Sequence, residues 1–434
     1  MGGLIRRFRF NEFQLLIAPA LVAVVGLLTV YLSRVGEVDW TWSDIWVSLL
    51  YVGLLFGFTL WLTATGFDGD QVLFPIVAML AGLGLLMMQR LQPVVAATSP
   101  DLENLAQRQL LYLAAGFALL WGMMVFVRRL DWLRRYKYTW AFLGVLLMAV
   151  TVVLGTEEYG ARLWLDLGFI TVQPGELVKV ILVVFVAAYL DDYRDLITAP
   201  YRVGPFSLPP IPYLLPMVLM WAIAVLIVVL QNDLGTALLF FGVFLVMLYV
   251  ATERLLYVAV GLGGFAAAVY VAYQLFDRIA VRVQNWINPW TDPFLAGAQQ
   301  IQAEYAMAAG KLFGSGLGFG YPGFIPVVQT DYVFAAIAEE LGLLGSVAVV
   351  ALYMLLVARG LLIAMRAEDG FARLLAVGLT TILGFQTLII LGGTVRLIPL
   401  TGITLPFISA GGSSLVTNFM IVGLLLRVSE KGGR

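Results

Sequence analysis

The chain has 434 residues, of which 61% are hydrophobic and 12% are charged, and its mean hydropathy is +0.94. A soluble domain carries about a quarter charged residues, so this composition indicates an integral membrane protein. The net charge of −1 gives no indication of a nucleic-acid partner. Cysteine and histidine are both absent, which excludes disulfides, thiolate nucleophiles and histidine bases. Any acid–base chemistry must therefore use Asp, Glu, Lys or Tyr.

Apolar stretches recur along the whole chain. A helix needs about 17–25 apolar residues to span the hydrocarbon core, and about twelve such spans are predicted. The predicted fold class is therefore all-α, a polytopic membrane protein. The stretch after Arg9 has no small-residue cleavage site and is interpreted as a retained first span. The predicted spans are centred near residues 23, 54, 80, 119, 147, 183, 221, 242, 265, 346, 383 and 415.

The distribution of cations predicts the orientation of the chain. An even number of spans places both termini on one side, and arginine and lysine concentrate in cytoplasmic loops. The cations of that side include Arg6, Arg7, Arg9, Arg128, Arg129, Arg134, Arg135, Lys137, Arg359, Arg366, Arg373, Arg427, Lys431 and Arg434. Both termini are therefore predicted to be cytoplasmic. The loop of residues 277–332 is predicted to face outward.

That loop is the only long polar segment of the chain. A loop of this length has little reason to interrupt apolar spans unless it binds or reacts with something. It carries the run NPWTDP, the glycine-rich patch GKLFGSGLGFG and then QTDY. The patch does not match a Walker A motif, and its glycines are expected at tight turns or at a close approach to a ligand. The cations Arg278, Arg282 and Lys311 either contact phosphate groups or are simply solvated.

Asp331 lies where this loop meets the next span. Either Thr330 or Asp331 can cap the helix that follows. Asp331 can also act as a base toward a hydroxyl group, since the chain has no histidine. Glu339 and Glu340 follow about two turns later and are expected to join a structural polar network.

Charged residues also occur at the ends of other spans. Glu176 and Lys179 are three residues apart, so they can pair on one helix face, either as a structural ion pair or as the lining of a substrate path. Asp233 lies between two spans as a helix cap or as part of a polar cavity. Arg396 is either an ordinary interfacial arginine or an anion contact. The following SAGGSS run either allows close helix packing or offers N–H groups to a phosphate.

Seven motifs along the chain together resemble one family. They are RQLLYLAAG, GARLWLDLG, VQPGELVK, QNDLGTALL, NPWTDP, TDYVFAAIAEELG and LPFISAGGSS. Over residues 74–427 the chain is similar to the FtsW/RodA/SpoVE family of peptidoglycan glycosyltransferases, also called SEDS proteins. Each motif alone is weak, but the ordered set is highly specific. The resemblance implies a ten-helix core in residues 71–434, preceded by two additional helices in residues 1–70.

The chain departs from the family pattern at several motifs. Leu163 precedes Trp164 where the family usually has arginine, and Gln329 and Tyr332 stand where it usually has histidine and phenylalanine. The additional N-terminal spans and the GGTVRLIPLTG segment are more similar to RodA-like members than to FtsW-like members. The resemblance therefore favours a role in elongation and cell shape over one in division.

The resemblance implies a substrate and a reaction. The substrate would be lipid II, and the product would be a β-1,4-linked glycan strand, formed with inversion and release of undecaprenyl pyrophosphate. Asp331 would be the base on the acceptor hydroxyl. A divalent cation, Mg²⁺ or Mn²⁺, is a further expectation, although no ligand cluster in the sequence indicates one. The residues implied in substrate binding are Arg108, Arg162, Glu176, Lys179, Asp233, Arg278, Arg282, Lys311, Arg396 and Ser413.

Partners and alternative functions follow from the same resemblance. A class B penicillin-binding protein is the implied transpeptidase partner, together with other proteins of an elongation or division complex. A lipid II flippase or transporter stays open as an alternative, motivated by the Glu176–Lys179 pair, and so do a division-type polymerase and a scaffold without activity of its own. A flippase would need Glu176 and Lys179 but no positioned base, so the role of Asp331 separates the alternatives.

Overall fold

The three-dimensional structure is a computed structural model of the chain. It describes residues 9–33, 45–99, 102–127, 129–158, 161–166, 168, 170–198, 201–203, 206–208, 211–295 and 297–430. Of the cations used to predict orientation, Arg6, Arg7, Arg128, Lys431 and Arg434 lie outside the described residues. Gly160 and Leu167 of the GARLWLDLG motif also lie outside them.

Helices account for most of the described chain, as the predicted fold class requires. In chain order they are α1 (Phe10–Leu15), α2 (Ile17–Ser33), α3 (Trp46–Thr65), α4 (Leu73–Thr98), α5 (Leu105–Phe126), α6 (Asp131–Arg135), α7 (Lys137–Leu154), α8 (Pro174–Thr198), α9 (Ile211–Leu230), α10 (Leu234–Thr252), α11 (Leu255–Leu275), α12 (Asp277–Ile287), α13 (Ala298–Gly310), α14 (Val333–Arg366), α15 (Gly370–Thr394) and α16 (Gly412–Ser429). Every predicted span centre falls inside one of these helices.

Eleven helical spans among the described residues are long and apolar enough to cross a membrane. They correspond to eleven of the twelve predicted spans. The twelfth, α8, is 25 residues long but does not meet the same criterion. Glu176 and Lys179 lie near its start, and Asp191 and Asp192 begin a charged run near its end. Its middle is nevertheless buried from Val178 to Leu190, so protein rather than lipid surrounds it.

Two small antiparallel sheets lie in connecting segments of this otherwise helical chain. β1 (Thr156–Glu158), β2 (Ala161–Asp166) and β3 (Thr171–Val172) form one sheet between α7 and α8. β4 (Tyr201–Val203) and β5 (Phe206–Leu208) pair between α8 and α9. These strands were not predicted from the sequence, because each is short and none has a strong alternating pattern.

The helices form two compact units. The first comprises Met1–Phe126, Val281–Arg359 and Gln386–Gly432, and the second comprises Val127–Ala280, Gly360–Phe385 and Gly433–Arg434. In the first unit α5 packs on α16, and α2 packs on α4. In the second unit α8 packs on α7 and on α10. The described residues of the predicted N-terminal extension therefore belong to the same unit as the QTDY turn.

The buried side chain of Arg9 joins the N-terminal helices to the rest of the first unit through hydrogen bonds and an ion pair. Arg9 pairs with Glu12 and donates to the carbonyl oxygens of Phe67 at 3.0 Å and Gly69 at 3.2 Å. Thr59 on α3 donates to the second carboxylate oxygen of Glu12 at 2.8 Å. A buried charge is stable only when paired and hydrogen-bonded, so these contacts fix α1 and α3 against the start of α4.

Candidate active site

Asp331 lies in a tight turn directly before α14. The carbonyl oxygen of Tyr332 accepts hydrogen bonds from the N–H groups of Ala335 at 2.9 Å and Ala336 at 3.3 Å. Tyr332 is therefore the last residue before the helix, and Asp331 precedes the cap position. The cap position before α14 is thus Tyr332, one residue later than the predicted Asp331. The carboxylate of Asp331 is therefore available for other contacts.

The environment of Asp331 makes it a stronger base than an ordinary carboxylate. Burial raises the pKa of Asp331 to about 6, against opposing effects of a hydrogen bond with Thr330 and the charge of Arg282. The residue is still partly accessible. A carboxylate with this pKa is ionised at neutral pH, and it binds a proton more readily than a solvated aspartate does.

The backbone of this turn is held by the SAGGSS segment. Ala410 N–H donates to the Gln329 carbonyl oxygen at 2.8 Å, and the Ser409 hydroxyl donates to the Thr330 carbonyl oxygen at 2.6 Å. Ser409 Oγ also accepts from Leu405 N–H at 2.9 Å. Two motifs that are far apart in sequence therefore form one local structure. Packing or phosphate binding was predicted for this segment from the sequence, and its support of the QTDY turn was not predicted.

Tyr332 and Gln300 connect the turn to α13 and α15. The Tyr332 hydroxyl donates to Gln300 Oε1 at 3.3 Å, and Gln300 Nε2 donates to the Thr394 carbonyl oxygen at 3.2 Å. Both Tyr332 and Gln300 are buried. Burial raises the pKa of the Tyr332 hydroxyl, with a smaller effect of the Asp331 charge, so this tyrosine stays protonated and acts as a donor.

Arg396 forms an ion pair beside the turn. Its Nη1 lies 3.1 Å from Glu304 Oε1, and Nη2 donates to the Ile287 carbonyl oxygen at 3.1 Å. The Arg396 carbonyl oxygen accepts from Trp286 Nε1 at 3.2 Å. The backbone of Arg396 has a φ of 60°, which is uncommon for a residue with a side chain. The guanidinium of Arg396 thus contacts protein groups. An anion contact of Arg396, one of its two predicted roles, stays a prediction.

The other predicted residues of the first unit lie around the same loop and at two helix starts. Arg282 is exposed on α12 and acts electrostatically on Asp331. Lys311 is exposed directly after α13, with a φ of 48°. Arg108 is exposed in the first turn of α5, and Ser413 is half-buried in the first turn of α16. Among these four residues, Arg282 has a recorded electrostatic interaction with Asp331.

The remaining predicted residues belong to the second unit. Lys179 Nζ lies 2.5 Å from Glu176 Oε2, which confirms that the two can pair on one helix face. The Asp233 side chain accepts from Thr236 N–H at 2.9 Å and caps α10, as the capping alternative predicted. Arg162 on β2 pairs with Glu157 at 3.3 Å on an exposed hairpin. Arg278 lies in the first turn of α12.

A fully buried ion pair lies deeper in the first unit. Arg90 Nε on α4 donates to Glu340 Oε1 on α14 at 2.6 Å, and Arg90 Nη2 donates to the Gly320 carbonyl oxygen at 2.8 Å. The expectation of a structural network around Glu339 and Glu340 is thereby supported. Arg90 itself was not predicted as a member, because nothing in the local sequence links residues so far apart.

The carboxylates of the described chain do not form a metal cage. No group of three or more Asp or Glu side chains that could hold a metal ion occurs among the described residues. The QTDY turn offers the single carboxylate of Asp331. A magnesium ion held mainly by substrate phosphates needs only one or two protein carboxylates. A divalent cation that assists the reaction therefore stays a prediction.

Comparison with known proteins identifies the family. The FtsW/RodA/SpoVE family model, described as "Cell cycle protein", matches residues 71–432. "Peptidoglycan glycosyltransferase RodA" of Mycobacterium tuberculosis is 37% identical over 433 residues, which is 98% of this chain and 91% of the relative. "Stage V sporulation protein E" of Bacillus subtilis is 35% identical over 377 residues, which is 83% of this chain and 97% of the relative.

Solved structures share the fold. A chain from a structure described as "Structural coordination of polymerization and crosslinking by a peptidoglycan synthase complex" is 31% identical, with a TM-score of 0.68, over 83% of this chain and 98% of that one. The rod shape determining protein RodA of Thermus thermophilus is 29% identical, with a TM-score of 0.60, over 83% and 97% of the two chains. The residues that the family model matches, 71–432, include the QTDY turn. The chain therefore belongs to the FtsW/RodA/SpoVE family of multi-pass membrane proteins.

Proposed function

We propose that this protein is a peptidoglycan glycosyltransferase that polymerises lipid II, with Asp331 as the general base. The observation that carries the proposal is the QTDY turn, which holds a partly accessible carboxylate with a pKa of about 6 beside Arg282. The names of the relatives in Mycobacterium tuberculosis and Mycobacterium leprae support the reaction class.

The proposed reaction forms one glycosidic bond and breaks one bond to pyrophosphate. The 4-hydroxyl oxygen of the acceptor sugar attacks the anomeric carbon of the donor, and the proton of that hydroxyl passes to the Asp331 carboxylate. Undecaprenyl pyrophosphate leaves from the opposite face with the bonding electron pair, so the anomeric configuration inverts. General-base assistance of this kind contributes about 10²–10⁴-fold to a rate. The protonated Asp331 then returns its proton to water.

Cations of the loop stabilise the leaving pyrophosphate in this proposal. Arg282 is exposed on α12, and Lys311 is exposed directly after α13. An arginine matches the oxygens of a phosphate with two parallel hydrogen bonds, whereas a lysine acts as a point charge. Arg396 reaches the same region only if its pair with Glu304 opens, because the guanidinium already contacts Glu304 and the Ile287 carbonyl oxygen.

We also propose the topology and the partner that the family implies. Both termini are cytoplasmic and the loop of residues 277–332 lies outside, as the cation distribution indicates. A class B penicillin-binding protein crosslinks the product, which the related synthase-complex structure supports. The near full-length similarity to RodA relatives, including the N-terminal helices, supports elongation rather than division.

The first experiment is polymerisation of labelled lipid II by the purified protein with its cognate transpeptidase. Asp331→Asn removes the base but keeps the size of the side chain, so we expect the glycan ladder to disappear, a loss of about 10²-fold or more. Glu103→Gln is the matched control, because Glu103 is an exposed carboxylate in the same unit. A ladder of unchanged intensity from a folded Asp331→Asn protein would overturn the proposal.

The pH dependence provides a second test of the same base. Below pH 6 the activity should fall about tenfold per unit, because Asp331 becomes protonated and can no longer accept a proton. The raised pKa also means that the folded state holds this proton more tightly than the unfolded state does. The contribution of Asp331 to the free energy of unfolding should therefore decrease as the pH rises from 3.8 to about 6. A flat activity profile over this range would exclude Asp331 as the base.

A transport function is the second candidate, and the Glu176–Lys179 pair favours it. Lys179 is 2% exposed within a helix whose middle is apolar and buried, which is a costly position for a charge unless it has a function. A flippase would move lipid II across vesicles in a manner that depends on Glu176 and Lys179 and survives Asp331→Asn. Polymerisation that depends on Asp331, without translocation, would exclude it.

A further inference from the structure

The loop after α13 exposes an unusual number of aromatic rings. Within residues 311–324, here called the aromatic loop, Phe313, Phe319, Tyr321 and Phe324 are between 60% and 77% exposed. A soluble surface rarely leaves so many large apolar side chains together in water. The aromatic loop is not used by the proposed reaction, apart from Lys311 at its start.

Buried charges hold the aromatic loop in one conformation. Glu340 Oε2 accepts from Gly318 N–H at 3.0 Å, and Glu339 Oε1 accepts from Tyr321 N–H at 2.8 Å. Arg90 joins Glu340 to the Gly320 carbonyl oxygen. Gly314, Gly316 and Gly318 have φ between 85° and 99°, a conformation that favours glycine and lets the chain turn tightly around α14. Hydrogen bonds with buried charged side chains thus support the backbone that carries the exposed rings.

A break in the helix α14 indicates where the aromatic loop lies relative to the bilayer. Gly342 has a φ of 68° and a ψ of −167°, so α14 is divided into a short outer part and a continuous part, residues 343–366. At about 1.5 Å per residue the continuous part is about 36 Å long, enough to cross a hydrocarbon core of about 30 Å. Leu343 N–H donates to the Lys311 carbonyl oxygen at 2.9 Å, and Leu344 N–H to that of Leu312 at 3.2 Å. The aromatic loop therefore begins where the spanning part begins.

Contacts with the end of α2 give a second, independent indication of where the aromatic loop lies relative to the bilayer. A Cβ atom placed on Gly318 would come within 2.0 Å of Ser33 Oγ, and Ser33 is the last residue of α2. A Cβ atom on Gly323 would come within 2.0 Å of Val94 on α4, close to the end of that helix. The aromatic loop therefore lies level with the ends of apolar helices, where a membrane-spanning protein meets the headgroups.

We propose that the aromatic loop is a membrane-interface anchor that inserts its rings into the headgroup region of the adjacent lipid leaflet. Aromatic side chains concentrate at this depth in membrane proteins. Leu343 and Leu344, both more than half exposed, continue the apolar surface from the aromatic loop into the spanning part of α14. Lys311 is exposed beside them and can extend its amino group to lipid phosphates while its carbon chain stays in apolar surroundings.

This anchor would fix the height of the candidate active site above the bilayer. The aromatic loop connects α13, which carries Gln300, to the QTDY turn before α14. Lipid II presents its pyrophosphate at the headgroup level, because its isoprenoid tail stays in the hydrocarbon. A loop bound to the interface would therefore keep Asp331 at a constant distance from that level. The binding of lipid itself does not depend on the reaction proposed above.

The absence of cysteine allows a direct test with single spin labels. Phe313→Cys, Phe319→Cys and Phe324→Cys are labelled with a nitroxide in nanodiscs of phosphatidylglycerol and phosphatidylethanolamine, without lipid II or a transpeptidase. Collisions with oxygen report lipid, and collisions with a water-soluble nickel chelate report water. Met354→Cys, on an exposed face of the spanning part of α14, is the lipid control, and Glu103→Cys is the water control.

We expect the three loop labels to show an oxygen-to-nickel collision ratio several-fold above that of the label at Glu103 and below that of the label at Met354. A ratio equal to that at Glu103 would mean that the rings lie in water, and it would overturn the proposal. Labels shielded from both reagents would mean that the rings are covered by protein, which would overturn it as well. Because no variant is assayed for polymerisation, failure here is independent of the role of Asp331.

Discussion

Two ion pairs of the first unit differ in how far they are removed from water. Arg90 and Glu340 have side chains 1% and 0% exposed, and their charged atoms are 2.6 Å apart. Arg396 and Glu304 have side chains 32% and 33% exposed, at 3.1 Å. The first pair joins α4 to α14, and the second joins α13 to the segment after α15. Of these two pairs, only the second is accessible to solvent.

Burial separates a pair that holds the fold from one that can rearrange. When one partner of a buried pair is removed, the other charge is left uncompensated in a poorly polarisable environment. A half-exposed pair is screened by water, so opening it costs little. We infer that Arg90–Glu340 stays closed and supports the aromatic loop. Arg396–Glu304 is able to open when a pyrophosphate approaches Arg396.

The largest expected effect is on stability, and it results from replacing Arg90. Arg90→Met should lower the free energy of unfolding by about 3–5 kcal/mol, since the buried Glu340 would lose the charge that compensates it. Thermal unfolding of the protein in detergent, followed by size-exclusion chromatography, measures this loss. The double variant Arg90→Met/Glu340→Gln should recover much of it, because the unpaired charge is removed. A single variant as stable as the parent protein would contradict the distinction between the two pairs.

A smaller effect, on activity rather than stability, is expected at the exposed pair. Arg396→Gln should change the free energy of unfolding by about 1 kcal/mol or less. It should lower polymerisation about tenfold to a hundredfold, because α12 and α13 lose a contact that orients them beside Asp331. Arg366→Gln, an exposed arginine at the end of α14, is the control.

The kinetic constants then distinguish two roles of Arg396. A fall in kcat with an unchanged KM indicates a positioning residue that acts through Glu304. A rise in KM indicates that the guanidinium contacts the lipid pyrophosphate in the bound state. Unchanged kinetics together with a large loss of stability would reverse the assignment of the two pairs.

Local features of the fold and site were predictable from sequence. The positions of the spans follow from apolar runs whose length matches the bilayer. The Glu176–Lys179 contact follows from a spacing of three residues on a helix. The capping of α10 by Asp233 follows from the preference for a short polar side chain at a helix start. Each of these depends on residues that are close together in the chain.

Contacts between distant segments were not predictable in this way. Arg90 and Glu340 are 250 residues apart, and Ser409 and Thr330 are 79 apart. Which helix faces meet depends on packing of the whole unit, and that information is not contained in the local pattern. The motifs indicated that the QTDY turn and the SAGGSS segment matter. Only the structure shows that the second supports the backbone of the first.

The smallest expected effect on polymerisation is that of Tyr332→Phe, which tests whether the Tyr332 hydroxyl helps to hold the QTDY turn in position. Tyr332→Phe removes the hydroxyl that donates to Gln300 Oε1 at 3.3 Å and keeps the ring in place. We expect a loss of about 0.5–1.5 kcal/mol in the free energy of unfolding, because one neutral hydrogen bond is removed. Tyr353→Phe is the matched control, since the Tyr353 hydroxyl donates to the Pro406 carbonyl oxygen at 2.5 Å within the same unit.

The comparison of these two tyrosines separates support of the site from support of the fold. Both variants remove one buried hydroxyl, so both should lose stability. Only Tyr332 is adjacent to Asp331 and tied through Gln300 to the segment that also carries Glu304. Polymerisation should therefore fall a few-fold more in Tyr332→Phe than in Tyr353→Phe at equal folded protein. An equal fall in both would mean that the Gln300 contact supports the fold generally and does not position the base.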